Sequence, residues 1–150
     1  MGIDEKLDVS DFLRSVENFN KSLEKMLSIE AAHLKSIDDA GADLNFDYQF
    51  ARAGMIKIFE MTIESSWKIM QRWIKINNDD KIHEKPKREL FRIARQCGLI
   101  TDQVAWWGFY EGRNKTAHMY HEEIAEDVYA LSKKFKDHLN IFAERLKNRI

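Results

Sequence analysis

The stretch IAEDVYALSKKFKDHLNIFAERL, residues 124–146, decides the fold class of this 150-residue chain. Its apolar side chains recur at every third or fourth position, and most positions between them are charged or polar. This spacing gathers the apolar side chains on one face of an α-helix. The members of this stripe are Ile124, Val128, Leu131, Phe135, Phe142 and Leu146, with Leu139 beside them. The pattern predicts a long amphipathic helix.

Two stretches upstream carry the same helical period. The first runs from Val9 to Leu27 and extends through Leu34 and Ile37, and the second covers residues 59–74, with residues 48–56 leading in. The polar run NNDD at 77–80 is expected to end the second helix, because short polar side chains compete for backbone hydrogen bonds. The segment DDAGADLN at 38–45 has the composition of a loop.

Single residues mark the ends of two more helices. Pro86 suits a first helical position and Gly98 suits a left-handed C-terminal cap, so a short helix is predicted from Lys87 to Cys97. Thr101 or Asp102 can cap a further helix. These elements predict an all-α fold, an antiparallel up-and-down four-helix bundle with one extra short helix, in a single domain spanning residues 1–150.

Composition narrows the class of protein. The 24 Lys+Arg balance 25 Asp+Glu, which argues against a general nucleic-acid coat protein but leaves room for a local basic patch. A single cysteine, Cys97, excludes an intrachain disulfide and a cysteine-based zinc site. The first residues, MGIDEKLDVSDF, lack the pattern of a signal peptide, and no apolar run approaches the ~20 residues that span a bilayer. A cytoplasmic protein without membrane contact is expected.

The segment RNKTAHMY at 113–120 stands out as a candidate reactive site. It follows GLI at 98–100, Asp102 and Trp106. A second signature lies upstream, with FE at 59–60, IE at 63–64 and WK at 67–68. Together, these segments resemble the nucleotidyltransferase substrate-binding branch of the HEPN family, over residues 59–129.

The resemblance implies a small helical bundle that forms a homodimer and is encoded beside a minimal nucleotidyltransferase (MNT). Several members resemble ribonuclease toxins of toxin-antitoxin pairs, which cut RNA without a metal, so no cofactor is expected. Carried over by position, Arg113 and His118 become the catalytic pair, and Asn114 supports the motif. Tyr120 becomes the residue to which the nucleotidyltransferase antitoxin adds AMP. Other members are non-catalytic substrate-binding subunits, and the sequence separates these two functions poorly.

The chemistry of the motif suits RNA cleavage. Internal attack by a ribose 2′-OH needs a base, an acid and positive charge at the phosphorane. Histidine titrates near neutrality, and arginine can hold two phosphate oxygens. On a continuous helix Arg113 and His118 would lie about 140° apart in azimuth and ~7.5 Å apart along the axis. Either the helix breaks near the motif or two protomers build a composite site, which we favour. In the simpler alternative, these residues and Asn114 only cap a helix end.

A basic helix face is a second candidate site. Arg88, Arg92 and Arg95 fall at i, i+4 and i+7 of the predicted short helix, after three lysines. This face can contact an RNA backbone or an acidic partner, or it can be an ordinary solvated face.

A metal site is the weakest candidate. His118, His121 and Glu122 have a spacing that could hold a divalent cation. No second cluster supports it, and no group of carboxylates is expected around the start of the motif. We therefore predict no metal site.

Two adjacent tryptophans complete the candidate residues. Trp106 and Trp107 point about 100° apart on a helix, so they cannot both be equally buried in one bundle. One of them could anchor a dimer.

Overall fold

The chain folds as a bundle of helices. A computed structural model describes residues 7–35, 42–118 and 120–150, with only the backbone described for 42–44. The helices are α1 (Ser10–Lys35), α2 (Ala42–Asn77), α3 (Lys87–Gln96), α4 (Gln103–Asn114) and α5 (Glu122–Lys147). Short 3₁₀ turns occupy Ile82–Glu84 and Lys115–His118, and the described residues contain no strand. The all-α prediction is confirmed.

Side-chain contacts give the directions of the helices. Asn20 and Asn140 exchange amide hydrogen bonds of 2.9 Å, and Tyr129 donates to Glu30, so α1 and α5 run antiparallel. The Trp67 ring lies 5.2 Å from the Tyr110 ring, near the middle of α2 and toward the end of α4. The four helices α1, α2, α4 and α5 alternate in direction, as predicted.

Aromatic side chains form the centre of the core. Phe135 of α5 meets Phe19, Phe59, Trp106 and Phe109 edge-on, with ring centroids 5.1–5.4 Å apart. All five side chains are buried. Edge-to-face packing adds about 0.5–1.5 kcal/mol per pair beyond the area buried. Three helices, α1, α2 and α4, therefore converge on the one face of α5 that the apolar stripe predicted.

Three of the helix ends below agree with the sequence, and two differ from it. Gly98 has φ +79°, and the Asp102 carboxylate accepts the Ala105 N–H at 3.0 Å, so both caps are confirmed. α2 ends at Asn77, as predicted. Pro86 sits one position earlier than predicted, as the N-cap of α3. α2 begins inside the predicted loop, at Ala42, whereas residues 38–41 lie outside the described part.

The largest difference is the length of α4. Four long helices were predicted, but α4 has 12 residues against 26, 36 and 26 for α1, α2 and α5. It stops at Asn114, within the motif. No helix in the described part of the chain is long and apolar enough to cross a membrane.

Candidate functional site

The backbone changes from α-helix to 3₁₀ turn inside the motif. α4 ends at Asn114, and residues Lys115–His118 form the turn that leads to α5. The Thr116 hydroxyl donates to the Arg113 carbonyl at 2.7 Å, and the His121 N–H donates to the His118 carbonyl at 3.1 Å. The sequence left open whether the helix breaks near the motif or two protomers share the site, and the structure shows a break in the helix. The angle of about 140° between Arg113 and His118, calculated for a continuous helix, therefore does not describe their arrangement.

Arg113 is held against α2. Its guanidinium donates to the Glu64 carboxylate and lies 3.9 Å from Glu60, and Cζ is 5.9 Å from the Trp67 ring. The side chain is 28% exposed. The upstream signature at 59–68 and the motif at 113–120 are therefore parts of one site. The expectation that no carboxylates cluster around the start of the motif is wrong, because Glu60 and Glu64 lie 49 or more residues away along the chain but adjacent in space.

The rest of the motif faces solvent. His118 and Asn114 are exposed, and Tyr120 is 79% exposed, with its ring 6.4 Å from that of His118. Among the described residues, no hydrogen bond or ring contact joins Arg113 to His118, and Met119 lies outside the described part. The structure thus brings His118 and Tyr120 together and places Arg113 separately, on the α2 side.

An arginine that the sequence analysis missed ties α2 to the residue after the motif. Arg52 donates to both oxygens of Glu122, at 2.6 and 2.7 Å, and to Glu126 at 2.5 Å. The Arg52 residue is only 5% exposed. Its hydrogen bond lowers the pKa of Glu122, against a smaller opposing effect of burial. The residues that neighbour Arg52 in the sequence do not indicate that its side chain is buried.

This pairing bears on the metal alternative. Both carboxylate oxygens of Glu122 accept hydrogen bonds from Arg52. Glu122 is therefore not available to bind a metal ion together with His118 and His121. The described residues contain no group of three or more His, Cys, Asp or Glu side chains arranged to hold a metal ion.

The three arginines of α3 are exposed, but their surroundings differ. Arg92 forms an ion pair with Glu89, one turn earlier. The Arg88 guanidinium lies over the Trp107 ring, 4.6 Å from its centroid. Arg95 projects to solvent near the end of the helix. Arg88, Arg92 and Trp107 line a groove of about 410 Å³ between α3 and α4.

The two adjacent tryptophans differ in burial, as predicted. Trp106 is fully buried and meets the rings of Phe135 and Phe142. Trp107 is half-buried, and its ring is tilted by 31° against that of Tyr110, with centroids 5.3 Å apart.

Comparison with known proteins matches the chain to a family, to a curated relative and to solved structures. The family described as nucleotidyltransferase substrate binding protein like matches residues 7–148. A protein named probable ribonuclease HepT, from Haemophilus influenzae, is 36% identical over 100 residues, which are 65% of this chain and 68% of that one. The solved structure of HI0074 from Haemophilus influenzae, described as the fold of a substrate binding domain of a nucleotidyltransferase, superposes with a TM-score of 0.78. It is 25% identical and covers 93% of this chain and 99% of its own.

Proposed function

Because this chain belongs to the nucleotidyltransferase substrate-binding protein family, of the HEPN type, we propose that it is a metal-independent endoribonuclease. Its partner in this proposal is a minimal nucleotidyltransferase, and the two form a toxin-antitoxin pair in the cytoplasm. The name of the Haemophilus influenzae relative, probable ribonuclease HepT, supports the activity.

One observation carries the proposal: an anchored arginine lies just before the 3₁₀ turn, and an exposed histidine ends that turn. Arg113 is oriented by Glu64 and Trp67 before any substrate binds, whereas the His118 imidazole is free to meet solvent. Charge stabilisation needs a group held in place, since reorganisation during the reaction reduces its effect. Proton transfer needs an accessible group.

The reaction follows from these two groups. The 2′-oxygen of a ribose attacks the adjacent phosphorus and gives up its proton to His118. The bond from phosphorus to the 5′-oxygen breaks, and that oxygen takes a proton from the His118 imidazolium. The products are a 2′,3′-cyclic phosphate and a 5′-hydroxyl. Arg113 donates to the non-bridging oxygens, where negative charge develops.

In a homodimer, Arg113 of one protomer can act with His118 of the other, which gives two such sites per dimer. The outward face of α2 is a suitable interface, because Phe46, Phe50 and Met61 are 66%, 73% and 57% exposed there. Glu64, which holds Arg113, lies on the same helix close to Met61. The Phe46 and Phe50 rings are 6.3 Å apart, and adjoining exposed apolar residues commonly mark an interface.

Tyr120 is the proposed target of AMP addition by the nucleotidyltransferase. Its phenol is exposed and lies beside His118. A nucleotide attached there would add negative charge and bulk next to the catalytic imidazole and would block access of RNA.

One observation favours a second function, a non-catalytic substrate-binding subunit. Arg113 already has a carboxylate partner in the isolated chain, so an incoming phosphate must compete with Glu64. The description of the HI0074 structure names a substrate binding domain.

Expression of the chain alone in a bacterial host separates the two functions. We expect the parent to arrest growth and cleave total RNA, and His118→Ala to do neither. His121→Ala is the matched control, because it removes an exposed imidazole three residues away. Intact RNA and normal growth with the parent would favour the substrate-binding subunit.

A further inference from the structure

A continuous series of cations and aromatic rings leads from α3 to the motif. Arg88 lies over Trp107, the Trp107 ring is tilted against Tyr110, and Tyr110 meets Trp67 edge-on, with separations of 4.6, 5.3 and 5.2 Å. Trp67 in turn lies 5.9 Å from the Arg113 guanidinium. The groove between α3 and α4 is therefore joined by direct contacts to the proposed catalytic arginine.

The cationic side chains along this series differ in whether they already pair with a carboxylate of the protein. Arg92 is paired with Glu89. Among the described residues, no carboxylate lies within ion-pair distance of Arg88 or Lys87, whose ammonium is 5.5 Å from the Trp67 ring. An anion can bind these two cations without displacing an internal partner. The indole beneath Arg88 also restricts the guanidinium, which lowers the entropy lost when it binds a phosphate.

We propose that the α3–α4 groove binds the single-stranded RNA that flanks the scissile phosphate. The proposal rests on the ribonuclease function above. Arg88, which lines the groove, binds a backbone phosphate. Lys87, which lies outside the lining and over Trp67, binds the next phosphate toward Arg113, and Trp107 and Val104 of the lining contact bases. Base contacts of this kind are tolerant of sequence, because every base has an apolar face.

The dimensions agree with a short strand. Trp107 and Arg113 are six residues apart on α4, which is about 9 Å along the helix axis. The two side chains also point about 120° apart around the helix, so a strand that joins them spans at least about three nucleotide steps at ~3.4 Å per stacked nucleotide. A substrate cleaved at Arg113 reaches Arg88 only if it extends several nucleotides to one side.

An RNA strand fits this groove better than an acidic protein does. An acidic helix would use the cations but would leave the half-buried Trp107 and the 75% exposed Val104 without an apolar partner. A nucleic-acid strand supplies phosphates and flat apolar rings together.

The first test measures binding without cleavage. In a His118→Ala background, the dissociation constant of fluorescent, mixed-sequence single-stranded RNA of about 12 nucleotides is measured over a range of salt concentrations. We expect Arg88→Gln to weaken binding about fivefold to tenfold and to reduce the salt slope by about 0.7, the value for one phosphate contact on a single strand.

Arg95→Gln is the matched control, since it removes the same charge from the same exposed face but outside the groove lining. We expect binding by this variant to equal that of its background. Trp107→Leu should weaken binding without changing the salt slope. The melting temperature of each variant identifies any loss of fold.

The second test uses RNA length in the active protein. Arg88→Gln should raise KM for the 12-nucleotide RNA and leave cleavage of a strand of about three nucleotides unchanged, because the shorter RNA ends before the groove. If Arg88→Gln binds and cleaves RNA as well as Arg95→Gln does while the parent is active, the groove proposal is wrong. The ribonuclease proposal is then unaffected. If Arg88→Gln alters only inhibition by the nucleotidyltransferase, the groove is a protein interface. A parent that neither binds nor cleaves RNA would refute both proposals.

Discussion

At the scale of single residues, the contact between Glu64 and Arg113 has the clearest consequence for function. Glu64 accepts a hydrogen bond from the guanidinium and thereby fixes its direction. We predict that Glu64→Gln lowers kcat for RNA cleavage by about tenfold to a hundredfold, the cost of misplacing a catalytic group. Because an amide can still accept one hydrogen bond, Glu64→Ala should lower kcat further.

Glu60→Gln is the control for this prediction. Glu60 is 3.9 Å from Arg113, beyond hydrogen-bond distance, but contributes the same charge. We expect a change in kcat of less than about threefold, since a screened charge without a hydrogen bond contributes little. Equal losses in both variants, or a faster Glu64→Gln, would mean that Glu64 competes with the substrate and does not position Arg113.

The backbone conformation of Gly98 gives a second prediction at the scale of a single residue, which concerns stability. Its φ of +79° is unfavourable for a side chain, and a Cβ there would lie 2.7 Å from Arg149 Nη2. We predict that Gly98→Ala lowers the free energy of unfolding by about 1–2 kcal/mol and Tm by about 3–6 °C. Calorimetry of the purified protein measures both.

Gly54→Ala is the matched control for Gly98→Ala. Gly54 lies inside α2, and a Cβ at that position meets nothing within 4 Å. Alanine should stabilise the helix by about 0.5–1 kcal/mol, because it restricts the unfolded chain and favours the helix. Destabilisation by both variants would contradict the conformational argument for Gly98.

At the scale of helices, α2 supports both ends of the motif. It holds Arg113 through Glu64 and the first turn of α5 through Arg52. Arg52 and Glu64 are 12 residues apart, about 18 Å along the helix axis. A long helix can keep two such contacts in register, because rotation or sliding would break both.

The contact between Arg52 and α5 predicts a dependence of stability on pH. Arg52→Met should lower the free energy of unfolding by about 2 kcal/mol at pH 7, because three charge-assisted hydrogen bonds are lost while both glutamates remain hydrated. The pKa of Glu122 is lowered in the folded protein. Its contribution is therefore complete above the unfolded pKa, about 4.5, and disappears as the pH falls through the folded value.

Urea denaturation at neutral and acidic pH checks this prediction. The difference between the parent and Arg52→Met should shrink steadily below about pH 4.5. Arg72→Met, at an exposed position of the same helix, should change stability by less than about 0.5 kcal/mol at either pH. A difference that does not vary with pH would show that Arg52 stabilises the bundle by packing alone.

The sequence could predict the features of these helices that depend on neighbouring residues, but not those that depend on contacts between distant segments of the chain. The apolar period and the caps at Gly98 and Asp102 are local, so α3, α5 and the start of α4 were predictable. The end of α4 at Asn114 was not, because no proline or glycine follows it at once. The burial of Arg52 and the pairing of Glu64 depend on contacts between distant segments, and the composition around these residues does not show them.

At the scale of the whole molecule, the candidate residues lie along one path. The groove between α3 and α4, the aromatic series, Arg113 and the 3₁₀ turn follow one another along α4. Gly112 contributes to this arrangement, since a Cβ there would overlap a methyl group of Leu131. Glycine therefore allows the close approach of α4 to α5 two residues before α4 ends.

Mixing two inactive variants tests whether the site is shared between protomers. In a twofold dimer, Arg113 of one chain can act with the histidine of the other, so each dimer contains two such sites. When Arg113→Ala and His118→Ala chains are mixed and allowed to exchange, a heterodimer has one site in which both groups are intact. Random pairing makes half of the dimers mixed, which predicts recovery of about a quarter of parent activity.

The surface proposed for the dimer gives the control for this mixing experiment. Phe50→Glu places a charge on the exposed face of α2. If this face is the interface, Phe50→Glu in both inactive chains should yield monomers by analytical ultracentrifugation and prevent recovery, because a buried unpaired charge is costly. If activity is still recovered when both chains carry Phe50→Glu, the dimer interface lies on another surface. No recovery from stable, exchanging heterodimers would show that Arg113 and His118 act within one chain, as the break in the helix after Asn114 allows.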